Sequence, residues 1–336
     1  MRTIFLHSWK GGVKKCAIIT GIYGQDGSLL AEYLLAKNYR VIGLVPKLRF
    51  GFAGLNSAEI FETDISDPLK MQKVFLDAQP DECYHLAATH HSSEKKTDTD
   101  IRTQMLRVNF LSTQAILDAI LQNAPHCRFL YAGSSQMYTP ELDITVVDES
   151  TPYRPSSYYG VIKGASAQLI DLLRRERGLW GVTAILFNHE SVRRSEQFLS
   201  RKVTSAVAEI VRQKNRKLCQ ESKLHIRDIS ARTDWSAATD FVNAFHLSLQ
   251  AEAPADYVLA SGKVHSVREL LQSAFQVADL DWRDFVLIEQ STTGTPRPCL
   301  QGDPQKARTM LGWEPQKSFS VLIQEMVKND LHSSVR

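Results

Sequence analysis

Residues 16–35 read CAIITGIYGQDGSLLAEYLL, and their order decides the fold. The apolar run Cys16–Thr20 has the length and composition of a buried strand. The next seven residues are Gly21, Ile22, Tyr23, Gly24, Gln25, Asp26 and Gly27, a glycine-rich turn. Ser28 to Leu35 then has the spacing of an amphipathic helix. Glycines in such a turn let the backbone approach a pyrophosphate, and the helix N-terminus favours its negative charge. The spacing is GxxGxxG rather than GxGxxG. A glycine-rich strand-to-helix turn is also compatible with plain loop chemistry. A second glycine pair, in KGGVKK at 10–15, precedes the first strand and has no hydroxyl residue after its lysine. It reads as part of a basic N-terminal extension over 1–14 and not as a phosphate loop.

Outward from this turn, strand and helix signals alternate. Strands are expected at Arg40–Val45, from Ile60–Phe61 toward Ile65, at Glu82–Ala88, Arg128–Gly133 and Val182–Phe187. Helices are expected at Lys70–Ala78, Arg107–Leu121 and Tyr158–Arg175. The fold class is therefore α/β: a Rossmann-type doubly wound parallel sheet, with ligands at the carboxyl ends of its strands. From about Asn188 the pattern changes to helices mixed with short extended pieces. This reads as a smaller, interleaved C-terminal substrate lobe, which puts a dinucleotide domain over 15–187 and the lobe mainly over 188–336.

Tyr159 and Lys163 stand one helical turn apart, on one face of the expected helix. A lysine so placed can lower the phenol pKa, and the phenol can then exchange a proton with a sugar hydroxyl. Ser134, at the end of the fifth strand, is placed to hydrogen-bond the same oxygen. Many surface helices carry this spacing by chance; the glycine turn gives it weight.

Composition narrows the function classes. A net charge of +3 with 23% charged residues argues against a nucleic-acid binder. No apolar stretch is long enough to span a membrane, and no signal peptide is evident. Five scattered cysteines show no CxxC metal pattern and read as reduced thiols of a cytoplasmic protein.

Taken together, these residues resemble the extended short-chain dehydrogenase/reductase family and, within it, the GDP-mannose 4,6-dehydratases. The likeness runs over roughly 16–331. It is carried by GIYGQDGSLLAEYLL (21–35), PDECYHLAA (80–88), ESTPYRPSSYYGVIK (149–163), FNHESVRR (187–194), SEQFLSRKVTSAVAEI (195–210), DYVLASGKVHSVREL (256–270) and GDPQKARTMLGWEP (302–315). The resemblance implies an NADP cofactor, with NAD the alternative. Gly21 to Gly27 would carry its pyrophosphate. Asp64 and Ile65 would lie by the adenine, and Leu86, Ala87 and Ala88 along the cofactor, with Lys163 on the nicotinamide ribose. His189 and Arg194 match further cofactor positions. The family's 2′-phosphate-binding run falls at Pro46–Lys47–Leu48–Arg49, so Lys47 and Arg49 are either its cations or a solvated loop. Substrate contacts are implied for Thr89, His90, Asn188, Glu190, Arg193, Lys202, Arg227, Arg232 and Arg297. No metal is implied, and the partner set is a nucleotide sugar, such as a GDP-hexose, within a homo-oligomer (dimer or tetramer).

The chain departs from this pattern at its chemistry. The family's catalytic run Thr-Ser-Glu is Ser134–Ser135–Gln136 here. A neutral amide cannot act as the base that elimination requires. Hydride transfer at sugar C4 needs only the hydroxyl, the tyrosine and the lysine. The catalytic set is thus Ser134, Gln136, Tyr159 and Lys163, and the favoured activity is C4 oxidoreduction of a nucleotide sugar, such as 4-ketosugar reduction. The alternatives are a 4,6-dehydratase using another base (His90 and His91 the candidates), a C4 epimerase, and a catalytically inactive nucleotide-sugar-binding or regulatory subunit.

Overall fold

The computed structural model describes residues 14–49, 54–89, 99–216, 223–289 and 297–333. His90, His91 and Cys219 lie outside them. Among the described residues the chain runs β1 (Cys16–Thr20), α1 (Gln25–Ala36), β2 (Arg40–Val45), β3 (Glu59–Glu62), α2 (Pro68–Ala78) and β4 (Glu82–His85). It continues with α3 (Thr99–Leu106), a π-helical turn (Arg107–Leu111), α4 (Ser112–Asn123), β5 (Arg128–Ala132), a 3₁₀ turn (Ser135–Met137), β6 (Ile144–Val147) and α5 (Tyr158–Arg177). Next come β7 (Gly181–Leu186), β8 (Asn188–Glu190), α6 (Leu199–Asn215), β9 (Leu224–Ile226), β10 (Arg232–Ala237) and α7 (Ala238–Gln250). The last elements are β11 (Tyr257–Leu259), β12 (Val264–Ser266), α8 (Val267–Gln276), β13 (Val286–Ile288), β14 (Cys299–Gly302), α9 (Gln305–Leu311) and α10 (Phe319–His332).

A seven-stranded sheet has the order β11-β7-β5-β4-β1-β2-β3. Its pairings from β7 to β3 are parallel. The order reverses between β1 and β4, and at such a switch point the loops after two neighbouring strands diverge and leave a crevice. This is the doubly wound sheet expected from the sequence. The edge strand β11 was not expected: three residues are too few for a periodic signal. The third strand ends earlier than expected because Asp64 accepts from Ser66 N and Oγ at 3.0 and 2.6 Å, a side-chain turn that stops the ladder.

By contacts the chain falls into two compact units. The first takes the residues up to Met137, Pro155–Ile185 and Val242–Tyr257; the second takes Tyr138–Arg154, Leu186–Phe241 and the rest from Val258. In the first unit, Met71 and Phe75 of α2 and Ile116 and Ile120 of α4 pack with Ile18, Cys83 and Phe129 of the sheet. Burying such side chains is worth about 1.5–3 kcal/mol each. In the second unit, Val203, Val207 and Ile210 of α6 pack with Leu270, Leu271 and Phe275 of α8 and Ile323 and Val327 of α10. No helix among the described residues is long and apolar enough to cross a membrane.

Candidate active site

The glycine turn meets the loop after β4 at the switch point. Gly21 has φ +74°, and a Cβ there would stand 2.9 Å from Ala87 N and Cα. A Cβ on Gly27 would stand 2.3 Å from Gly21 O. Neither position admits a side chain, so turn, α1 and the Leu86–Ala88 segment close on one another. Gly24 is different. It is the exposed N-cap of α1, no side chain caps the helix, and a Cβ there would meet only Gly21 O, at 3.1 Å. A helix start with positive backbone dipole, a glycine surface and room beside it fits a dinucleotide pyrophosphate. The helix starts at Gln25, not Ser28, so Gln25, Asp26 and Gly27 form its first turn.

Around this turn, Lys47 and Arg49 follow β2. Among the described residues neither side-chain cation has a carboxylate partner. Asp64 is paired with Arg107, whose Nε also donates to Ser66 Oγ at 2.8 Å. Burial alone would raise the Asp64 pKa; the bonds from Ser66 and Arg107 outweigh it and hold the carboxyl below its usual range. Ile65 packs on the core. Arg107 had no signal in the sequence: the π-helical turn sets its direction.

The same π-helical turn carries a residue that sequence reasoning missed. Asn109 is fully buried; its side chain accepts from Thr89 N at 2.8 Å and donates to Thr89 O at 2.9 Å. Its carbonyl accepts from Ser166 Oγ at 3.1 Å and Thr113 Oγ1 at 3.0 Å. Thr89 is thereby fixed to the helix that bears Lys163. Beneath it, His85 bonds Thr20 Oγ1 at 2.7 Å and lies 3.1 Å from both Thr113 Oγ1 and Ser112 Oγ. Burial, assisted by the Lys163 charge, pushes the His85 pKa down to about 3, so the ring is neutral.

Tyr159 and Lys163 lie in the first turns of α5. Ser157 caps the helix, accepting from Gly160 N at 3.0 Å. A Cβ on Gly160 would stand 2.0 Å from Gln136 O, so only glycine lets α5 press against the 3₁₀ turn after Ser134. This contact brings Ser134, Gln136 and Tyr159 into one neighbourhood. Ser134 Oγ accepts from Gln136 N at 3.1 Å, and Gln136 Oε1 accepts from Ser157 Oγ at 3.1 Å. Lys163 is 1% exposed; its ammonium donates to Ala132 O at 2.8 Å and sits 5.5 Å from the centre of the Tyr159 ring. Burial pushes its pKa down from 10.5 to about 7. A half-buried phenol beside a buried lysine can exchange a proton at neutral pH.

The other expected residues belong to the second unit. Asn188 is exposed on β8. His189 is buried, stacked 4.6 Å from the Phe241 ring, with Nδ1 2.8 Å from Phe187 O. Glu190 is 2% exposed, and its carboxylate is held by Arg194 Nε at 3.2 Å and Ser200 Oγ at 2.5 Å; Arg194 also stacks on Phe198. Arg193, Lys202 and Arg227 are exposed. Arg232 bonds the Asp143 carboxylate at 2.6 Å and also Arg297 O, and the Arg297 guanidinium pairs with Asp228 at 3.2 Å. Asp234 accepts from Ser261 and Gly262 N and from Gly302 N, which fastens the loop after β11 and the end of β14 to β10.

Residues 18–326 match the family profile described as GDP-mannose 4,6 dehydratase. The chain belongs to that family. GDP-mannose 4,6 dehydratase 1 of Arabidopsis thaliana is 35% identical over 96% of this chain and 91% of its own length. The human GDP-mannose 4,6 dehydratase is 31% identical over 96% and 92%. Among solved structures, a UDP-glucose 4-epimerase from Thermotoga maritima has a TM-score of 0.79 at 19% identity, over 93% of this chain and 97% of its own. RMD from Pseudomonas aeruginosa, complexed with NADPH, has a TM-score of 0.75 at 22% identity, over 95% and 99%. These two share the fold. Family membership makes the chain an enzyme of the NAD(P)-dependent nucleotide-sugar oxidoreductase kind.

Proposed function

We propose that this enzyme uses NADP to move hydride at C4 of a nucleotide-linked hexose, and that its favoured reaction is reduction of a 4-ketosugar. The observation that carries this reading is Gln136 beside an otherwise complete Ser134–Tyr159–Lys163 set. The glycine turn would hold the cofactor by its pyrophosphate and Lys163 by its nicotinamide ribose, and the bound cofactor would supply the hydride. Tyr159 gives its phenolic proton to the C4 oxygen as that oxygen becomes a hydroxyl. The Lys163 ammonium stabilises the phenolate left behind and holds the ribose. Ser134 donates to the C4 oxygen and fixes its direction. Gly24 and the α1 N-terminus receive the pyrophosphate, and Lys47 and Arg49 the 2′-phosphate.

Gln136 has no useful proton affinity near pH 7, and removal of a positioned base costs about 10²–10⁴-fold. The family relationship favours a second reading, a working GDP-mannose 4,6-dehydratase with another base. Mass spectrometry of products from GDP-mannose in deuterated water separates the two. The reductase reading expects almost no 4-keto-6-deoxy product from the parent enzyme, and a gain of up to about 10²-fold in Gln136→Glu. Rapid dehydration by the parent, with deuterium entering at C5, would overturn it.

A homo-oligomer belongs to the same proposal. Tyr158, Val161 and Leu172 expose an apolar stripe along α5, and Leu106 and Leu111 are exposed on the neighbouring helical segment. Contiguous exposed apolar faces of this kind mark association surfaces.

A further inference from the structure

We infer that Tyr23 is a positioning residue for recognition of the cofactor's 2′-phosphate, an inference that rests on the NADP reading above. Tyr23 stands inside the glycine turn, between Gly21 and Gly24. Its hydroxyl leaves the turn and grips the peptide of Arg49: it donates to Arg49 O at 3.2 Å and accepts from Arg49 N at 3.3 Å. One residue earlier, Leu48 N donates to the Glu62 carboxylate at 2.9 Å. The segment after β2 is thus pinned on one side to the end of β3 and on the other to the turn itself. In this fold class the group that reads the ribose 2′ position stands about 20 residues beyond the glycine turn, which is where Lys47 and Arg49 lie.

The consequence is geometric. A pyrophosphate at the turn and a 2′-phosphate on the adenosine ribose are parts of one ligand, only a few bonds apart. Cations that read the second must keep a fixed position relative to the seat of the first. A loop tied only to β3 would leave that position to chance. Tyr23 makes the tie directly, through an aromatic side chain with two torsions and therefore little freedom to lose. Its bonds go to the Arg49 backbone, so they fix where the arginine side chain starts and consume none of its guanidinium donors. Preorganisation of this kind lowers the ordering loss on binding and acts only on ligands that use the ordered group.

The test is calorimetric binding of 2′,5′-ADP and of 5′-AMP, probes that differ by the 2′-phosphate alone. It is run on the parent, Tyr23→Phe, Arg49→Ala and the double variant. Tyr23→Phe should weaken 2′,5′-ADP about 5- to 10-fold more than 5′-AMP, the worth of one or two neutral hydrogen bonds. In the Arg49→Ala background the same change should alter 2′,5′-ADP affinity less than about 2-fold, because the residue acts through that segment. Equal loss for both probes, or an additive effect in the double variant, would overturn the role of Tyr23 and leave the NADP reading standing. A parent that binds 2′,5′-ADP no better than 5′-AMP would overturn the NADP reading itself. If Tyr23→Phe does not fold, Tyr23→Thr, whose hydroxyl is too short to reach Arg49, is read the same way.

Discussion

Replacing Lys163 by methionine should make the protein more stable and inactive, and the gain in stability should depend on pH. The lysine is 1% exposed, and burial lowers its pKa from 10.5 to about 7. At 1.36 kcal/mol per pH unit this is worth about 5 kcal/mol against the charged folded state. Methionine keeps the length and removes that penalty, but it leaves Ala132 O without the 2.8 Å bond. An orphaned buried carbonyl costs about 1–3 kcal/mol. The net gain at pH 6.5 is then about 2–4 kcal/mol. The sign of the pH term follows from proton counts. Below about pH 7 the lysine is charged in both folded and unfolded chains, so the parent carries the whole penalty. Between 7 and the unfolded value near 10.4 only the unfolded chain holds the proton, so parent stability rises with pH. At pH 9.5 the residual penalty is about 1 kcal/mol, and the two proteins should be nearly equal. Equilibrium urea unfolding at the two pH values, without cofactor, reads the difference. A variant less stable than the parent at pH 6.5, or an advantage that does not shrink by pH 9.5, would refute the burial argument.

Tyr159→Phe should abolish hydride transfer and leave the cofactor dissociation constant within about twofold, because the ring stays and only the proton carrier goes; turnover within threefold of the parent would remove Tyr159 from the chemistry. Gly24→Val should prevent NADPH binding with little loss of fold. The new Cβ meets only Gly21 O, at 3.1 Å, and its methyl groups fill the space beside the helix start. A fluorescence titration showing undiminished affinity would take the turn out of the site.

The sequence makes the two ends of the site legible for different reasons. The strand-turn-helix at 16–35 is readable because hydrophobic period and glycine spacing are local properties. Tyr159 and Lys163 are readable because a helix fixes residues one turn apart. What the sequence hides is whatever depends on packing across the sheet. Asn109 looks like one polar residue in a helix; only the π-helical turn aims its side chain at Thr89 and its carbonyl at Ser166. Gly160 looks like a weak point in α5; its reason is the 2.0 Å approach that a Cβ would make to Gln136 O. Strands such as β8, β9 and β11 span three residues each, too few to show a period. The expected helix at Arg107–Leu121 is the later part of a helical run that begins at Thr99, because the first turns are polar and carry no apolar stripe.

Burial separates Lys163, His85 and Asn109 from Gln136. Lys163, His85 and Asn109 are all within 1% of full burial, with their polar atoms matched to Ala132, Thr20, Thr113 and Thr89. A polar core of this kind is held in place by its own satisfaction: removal of one member strands the others. Lys163 is the exception, because an apolar replacement relieves more burial penalty than it creates. A chain with no use for the charge would gain stability by losing it, so the lysine argues for a site that still turns over and against an inactive binding subunit. Gln136 sits at the other extreme. It is exposed, and Ser157 Oγ can donate to a carboxylate as well as to an amide, so exchanging glutamate for glutamine there costs little fold stability. On the proposed reading, position 136 is therefore where a change of reaction costs the fold least, while Lys163 stays buried under α5.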